Sequence, residues 1–210
     1  MVLIKIICND NNEQSHVFNL RKEPNQKSQA TEAEVIVDSD LNFTSAVKGS
    51  SAPNNIISQL ILINVEYYSF DNKIHRGQLL IDKTCEKSVI NIFIELQKIK
   101  FPIEKIIPIV VYDWNDSISM TSNNSSGFNF RYVYATKTIS KHSFGKAIDL
   151  NPKLNPYIVK GKYQPVGSSY DTTKAGTFSS TSLAVNIFKK NGWKWGGDWI
   201  GVKDYQHFYR

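Results

Sequence analysis

The clearest hydrophobic pattern along the chain begins at Leu60. Leu60 to Tyr68 reads LILINVEYY, rich in β-branched and aromatic residues, and predicts a strand. Phe70 to Gln78 carries Asp71-Asn72 and Gly77, which suits a turn, and LLID after it predicts a second strand and hence a hairpin. From Thr84, a candidate cap, to about Lys100 the apolar residues Val89, Ile92, Phe93, Leu96 and Ile99 recur at helical spacing, and Phe101-Pro102 ends the run. IIPIVVYDW, Ile106 to Trp114, reads as strand, and Asp116 to Asn129 reads as a long polar loop of the kind that often carries function. KAIDL, Lys146 to Leu150, predicts a short strand that stops at Asn151-Pro152. Ser180 to Asn191 predicts a second helix, with Leu183, Ile187 and Phe188 on one face and Asn191-Gly192 as its stop.

Upstream of Leu60 the pattern is weaker. Residues 1–7 suggest a short strand, Asn9 to Thr31 is polar, and Val35 to Val37 is briefly β-like. Phe43 to Asn55 is small and polar with Gly49 and Pro53, which is linker chemistry. The expected organisation is therefore an N-terminal extension over 1–55 and a main domain over 56–210.

Composition narrows the class. With 41% hydrophobic and 21% charged residues in 210, the chain can bury a core and is not wholly disordered. The net charge of +6 comes mostly from lysine. Such an excess favours anionic partners, but the lysines are dispersed, no nucleic-acid motif accompanies them, and a solvated surface explains them. The longest apolar stretch, Ile56 to Val65, is too short for a membrane span. The apolar run MVLIKIIC is too short for a signal-peptide core, so a mature form, a cytosolic protein or export by another route is expected. Cys8 and Cys85 form no metal cluster or disulfide framework, and their spacing does not decide whether they pair.

The chemistry concentrates near the C-terminus. His142 and Asp149 lie in SKHSFGKAIDLNP, and His207 lies in DYQHF with Asp204 three residues before it. Two imidazoles and a carboxylate can hold one zinc and leave a fourth position for water. One anionic ligand leaves that site with net positive charge, able to lower the pKa of the water. Gly145 between His142 and Asp149 suits a turn entering a strand, with Asp149 and Ala147 on one face and Ile148 and Leu150 toward the core. Asp204 and His207 point to opposite faces of an ideal strand, so the chain must bend there for both to serve one site. Asp204 then acts as a general base or holds a histidine nitrogen. Trp193, Trp195 and Trp199 wall a substrate groove or pack in the core. Gly196-Gly197 permits a close approach to a ligand or another strand.

SKHSFGKAIDLNP resembles the S-x-H-x-x-G-x-A-x-D motif of the zinc D-alanyl-D-alanine carboxypeptidases of the VanY-like family, and the terminal D-x-x-H resembles their second metal motif. NNSSGFNFR, Asn123 to Arg131, is similar to a further family segment, as are NPYIV and GWKWGGDW. The likeness extends from about Tyr67 to the C-terminus. It implies an α+β fold, with a small, mostly antiparallel sheet and helices around a zinc groove. It implies one zinc per chain held by His142, Asp149 and His207, with Asp204 as base, Arg131 steadying the scissile carbonyl and Ser140 contacting substrate. It also implies a peptidoglycan stem peptide as partner and action in the bacterial periplasm or cell wall. Two rivals share these residues: a peptidoglycan endopeptidase of the phage-lysin or secreted-effector kind, and a non-catalytic zinc-binding module.

Overall fold

The computed structural model describes residues 35–133 and 136–210. The expected strand over 1–7, the polar arm with His16, and Cys8 lie outside the described residues. One compact unit runs from Ala33 to Arg210. Its fold is α+β.

The hairpin is its longest feature. Strand β2 (Leu60–Tyr68) pairs antiparallel with β3 (Ile74–Asp82), from Leu60 opposite Asp82 to Tyr68 opposite Ile74. The turn is shorter than the sequence suggests: Asn72 takes a left-handed φ of 66° and strand resumes at Ile74. His75 and Arg76, expected in the turn, are ladder residues. β1 (Ile36–Val37) adds to β3 in parallel, as the β-like Val35 to Val37 suggested.

The stretch read as a linker is structured. It forms α1 (Phe43–Ala46), capped by the Asn42 side chain, and α2 (Asn54–Ile57). Ala46 is buried, and Val47, Ala52, Ile56 and Ile57 pack on Leu60, Leu80 and Phe128. Small and polar residues here permit tight one-turn helices against the hairpin, and composition does not distinguish that from a linker.

Helix α3 (Glu86–Lys98) buries Val89, Ile92, Phe93 and Leu96 as its spacing predicts. Asp82 caps the preceding turn by accepting from the Thr84 N–H, so the capping side chain is Asp82 and not Thr84. α5 (Leu183–Lys190) is capped by Ser182 and buries Ala184, Val185, Ile187 and Phe188, while Leu183 faces out. α3, α5 and one face of the hairpin enclose the main core with Ile148, Leu150, Phe178, Trp195 and Phe208.

Two expectations between the helices fail. Of IIPIVVYDW only β4 (Lys105–Ile106) is strand, followed by a 3-10 turn over Ile109–Tyr112 that begins after Pro108. The expected polar loop contains α4 (Asp116–Thr121), capped by Asn115, and β5 (Asn124–Ser125), which pairs in parallel with β4.

The strands fall into several small sheets rather than one. β6 (Ala147–Asp149) and β9 (Lys194–Trp195) flank β11 (His207–Tyr209), both antiparallel to it. β7 (Tyr157–Val159) lies between β8 (Lys162–Gln164) and β10 (Lys203–Asp204), again antiparallel. Two buried asparagines fasten the loops behind β6. Asn151 accepts from the Glu104 N–H and donates to the Pro102 and Gly176 carbonyls. Asn155 donates to the carbonyls of Leu150, Asn151 and Gly176 and accepts from the Phe178 N–H.

Candidate metal centre

Strand register brings the candidate ligands together. His207 of β11 lies directly opposite Asp149 of β6, and opposite residues of an antiparallel pair share a face. His142 arrives from the 3-10 turn Lys141–Phe144 just before β6. That turn ends at Gly145, whose φ of 65° is left-handed, and the Gly145 carbonyl accepts from the Asp82 N–H of the hairpin. A side chain at Gly145 would collide with Asp82 and Leu60, so the glycine closes the turn against β3.

The three side chains are 3–9% exposed. His142 Nε2 lies 3.1 Å from His207 Nδ1 and 3.2 Å from Asp149 Oδ2, and His207 Nδ1 lies 2.9 Å from Asp149 Oδ1. Donors bound tetrahedrally at zinc distances of about 2.0–2.1 Å stand about 3.3 Å apart, so the spacing fits such an ion. The His142 Nδ1 faces the Gly127 carbonyl, which fixes the ring with Nε2 toward the cluster. Among the described residues this is the one His/Cys/Asp/Glu group arranged to hold a metal. Burial works against the Asp149 carboxylate, but the charges and hydrogen bonds of His142 and His207 outweigh it and hold its pKa well below the usual range.

Asp204 reaches the same region as the bend requires. It sits in β10, and the chain turns through Tyr205 and Gln206 into β11. The Asp204 Oδ1 is buried with no hydrogen-bond partner among the described residues. Burial, aided by the negative charge of Asp149, pushes its carboxyl up to about 7, against the opposing pull of His207 and Arg131. An orphaned carboxylate oxygen beside a cluster of metal-ligand type is what a water held at that site would satisfy. Gly196 packs against the backbone of Asp204. The close approach inferred for Gly196-Gly197 is therefore to a strand at Gly196, while Gly197 lies against the Trp195 ring.

Arg131 forms an ion pair with Asp116, Nη2 to Oδ2 at 3.0 Å. Asp116 opens α4 and was hidden in the expected polar loop. Its other oxygen accepts from Asn129 Nδ2 at 3.3 Å. The backbone of Arg131 is held by Ser143, whose hydroxyl accepts from the Arg131 N–H at 2.9 Å and donates to the Arg131 carbonyl at 2.8 Å. Ser140 is buried and caps the His142 turn, its hydroxyl accepting from the His142 N–H at 3.3 Å.

The tryptophans divide. Trp193 and Trp195 are core residues, whereas half-buried Trp199 lies 5.5 Å from the His207 ring and donates to the Tyr209 hydroxyl at 3.0 Å. A cavity of about 730 Å³ lies elsewhere, lined by Leu41, Phe43, Ile57, Leu62 and Gln78 among others, and shares no residue with the metal cluster. No described helix is long and apolar enough to cross a membrane.

The sequence model of the D-alanyl-D-alanine carboxypeptidase family matches residues 134–210, which include all three clustered side chains and Asp204. The resemblance seen in the motifs thus holds over that C-terminal part. No curated protein matches the chain. No solved structure matches it either.

Proposed function

We propose that the chain is a zinc-dependent peptidase that hydrolyses peptidoglycan stem peptides, acting as a D-alanyl-D-alanine carboxypeptidase in the periplasm or cell wall. The observation that carries this reading is the buried His142–Asp149–His207 cluster, with donor spacing suited to zinc and, close by, an Asp204 carboxylate oxygen without a hydrogen-bond partner among the described residues. The family match over residues 134–210 supports it.

His142, Asp149 and His207 would hold one zinc ion, which when bound polarises the scissile carbonyl and acidifies water. Asp204 takes the proton from the attacking water and returns it to the nitrogen of the leaving amino acid as the C–N bond breaks. The push on its pKa toward neutrality suits a group that must accept a proton and release it again. Arg131 directs donors at the carbonyl oxygen, where negative charge builds in the transition state. Ser140 holds the His142 turn, and its hydroxyl contact to substrate belongs to this reading. Trp199 borders the site and offers an apolar flank to the substrate.

The test is digestion of a free pentapeptide stem and of purified peptidoglycan by the zinc-loaded protein, with products identified by mass. Loss of one terminal alanine from the stem is the expected result. Disappearance of cross-linked dimers with the stem untouched makes it an endopeptidase. A protein that binds zinc stoichiometrically and cleaves neither is a non-catalytic module.

A further inference from the structure

The geometry points to Asp116 as the positioning residue for Arg131, holding the guanidinium ready for the carbonyl oxygen before substrate arrives. This assignment rests on the peptidase reading above and adds to it a residue outside the motifs that carry the family resemblance.

Three observations support it. First, Arg131 is pinned at both ends. Ser143 grips its backbone N–H and carbonyl, the Ser140 N–H donates to the same carbonyl at 3.0 Å, and Asp116 grips the guanidinium at 3.0 Å. A free arginine side chain has much rotamer freedom to lose on being ordered, and here the fold orders it in advance. Second, Asp116 is itself fixed. It lies in the first turn of α4 behind the Asn115 cap, and Asn129 occupies the oxygen that Arg131 does not use. Third, the pair leaves donors free. Arg131 Nε is buried without a hydrogen-bond partner among the described residues, and Nη1 has only a long 3.5 Å approach to the Tyr132 carbonyl. Nη1, so weakly engaged, is the donor left for an oxyanion.

The role differs from simple pairing in a way that can be measured. If Asp116 acts through Arg131, Asp116→Ala should lower kcat about 10–100-fold with KM little changed, the penalty expected when a preset group drifts by up to an ångström. Asp116→Asn keeps the shape and one acceptor oxygen, so it should lie between the wild type and Asp116→Ala. It also serves if the alanine variant does not fold. In an Arg131→Ala background, Asp116→Asn should have no further effect on kcat. Independently of turnover, the side-chain Nε–H signal of Arg131 in ¹⁵N NMR spectra should be protected from exchange in the wild type and lose that protection in Asp116→Asn. Full kcat in Asp116→Asn with an unchanged Nε–H signal overturns the assignment, as does an undiminished effect in the Arg131→Ala background. A wild-type protein inert on every stem peptide overturns the peptidase reading and the assignment together, whereas active wild type with unaffected variants overturns the assignment alone.

Discussion

Replacing Gly196 by alanine should damage catalysis without replacing a catalytic side chain. A Cβ built on Gly196 would stand 2.5 Å from the Asp204 carbonyl oxygen and 2.9 Å from the Asp204 Cβ, where ordinary contact begins at 3.4 Å. The φ of Gly196 is not left-handed, so the penalty is steric and not conformational. Relief requires the backbone of β10 to retreat by about half an ångström or more, since neither contact is the end of a flexible side chain. Overpacking of this kind costs about 1–3 kcal/mol, which lowers Tm by about 2–12 °C in a domain of this size. On the proposed mechanism the retreat moves the Asp204 carboxylate away from the attacking water, and misplacement on this scale costs on the order of 10–100-fold in rate. His207, paired with Asp149 of β6 in a strand that β9 flanks through Phe208 and Tyr209, should stay in place. The expected result is therefore a folded Gly196→Ala protein with full zinc content and turnover reduced by at least about tenfold. Zinc content by metal analysis and kcat on a stem peptide, taken from one sample, decide it. Wild-type turnover would refute the claim that this contact sets the position of Asp204.

Asp204→Asn should keep its zinc and lose about 10²–10⁴-fold in rate, because the amide cannot take the proton; zinc loss in step with rate would make Asp204 a ligand instead. His75 gives a pH signature in stability. Burial opposes its charge, but Nδ1 on Asp38 at 2.9 Å and Nε2 on Asp71 at 3.2 Å outweigh that and raise its pKa. A raised folded pKa means a contribution fully present below the ordinary value of 6.5 and lost as pH rises through the folded value. Urea denaturation should therefore show a smaller loss of stability between pH 6 and pH 9 in His75→Asn than in wild type, and parallel curves would reject the linkage. A chain beginning at Ala33 should fold and turn over substrate, whereas one beginning at Asn54 loses β1 and the Asp38 contacts to Tyr67 and His75 and should melt at lower temperature. Equal melting temperatures would show that residues 33–53 add nothing to stability.

The elements that the sequence made legible are those whose burial is periodic. β2 is apolar or aromatic apart from Asn64 and Glu66, and α3 shows four buried positions at helical spacing, so both were readable from local pattern alone. The metal cluster was readable for another reason. Ligand residue types are few, and the Gly145 turn and the Asp204–His207 spacing constrain how the chain can present them. What stayed hidden was structure held by polar contacts. α4 is a six-residue helix with little apolar content, nucleated by the Asn115 cap, and Asn-Asp followed by Ser reads equally well as loop. Asp116 was missed with it, because its meaning comes from a partner fifteen residues away. The 3-10 turn after Pro108 defeated a strand reading of Ile109 to Tyr112, since a β-branched run fits either state until the proline's start of the turn is weighed. α1 and α2 were missed because their packing partners lie in the hairpin beyond them.

The two asparagines behind β6 have a consequence for how long such a protein lasts. Asn151 and Asn155 hold seven side-chain hydrogen bonds between them, and both are followed by proline. Spontaneous deamidation proceeds by attack of the next residue's backbone nitrogen on the side-chain amide, and proline has no N–H with which to make that attack. Conversion of either residue to aspartate would place a negative charge among backbone carbonyls and remove the donors that bind them. The loops that brace the strand carrying Asp149 are therefore fastened by amides that the commonest ageing reaction of asparagine cannot reach.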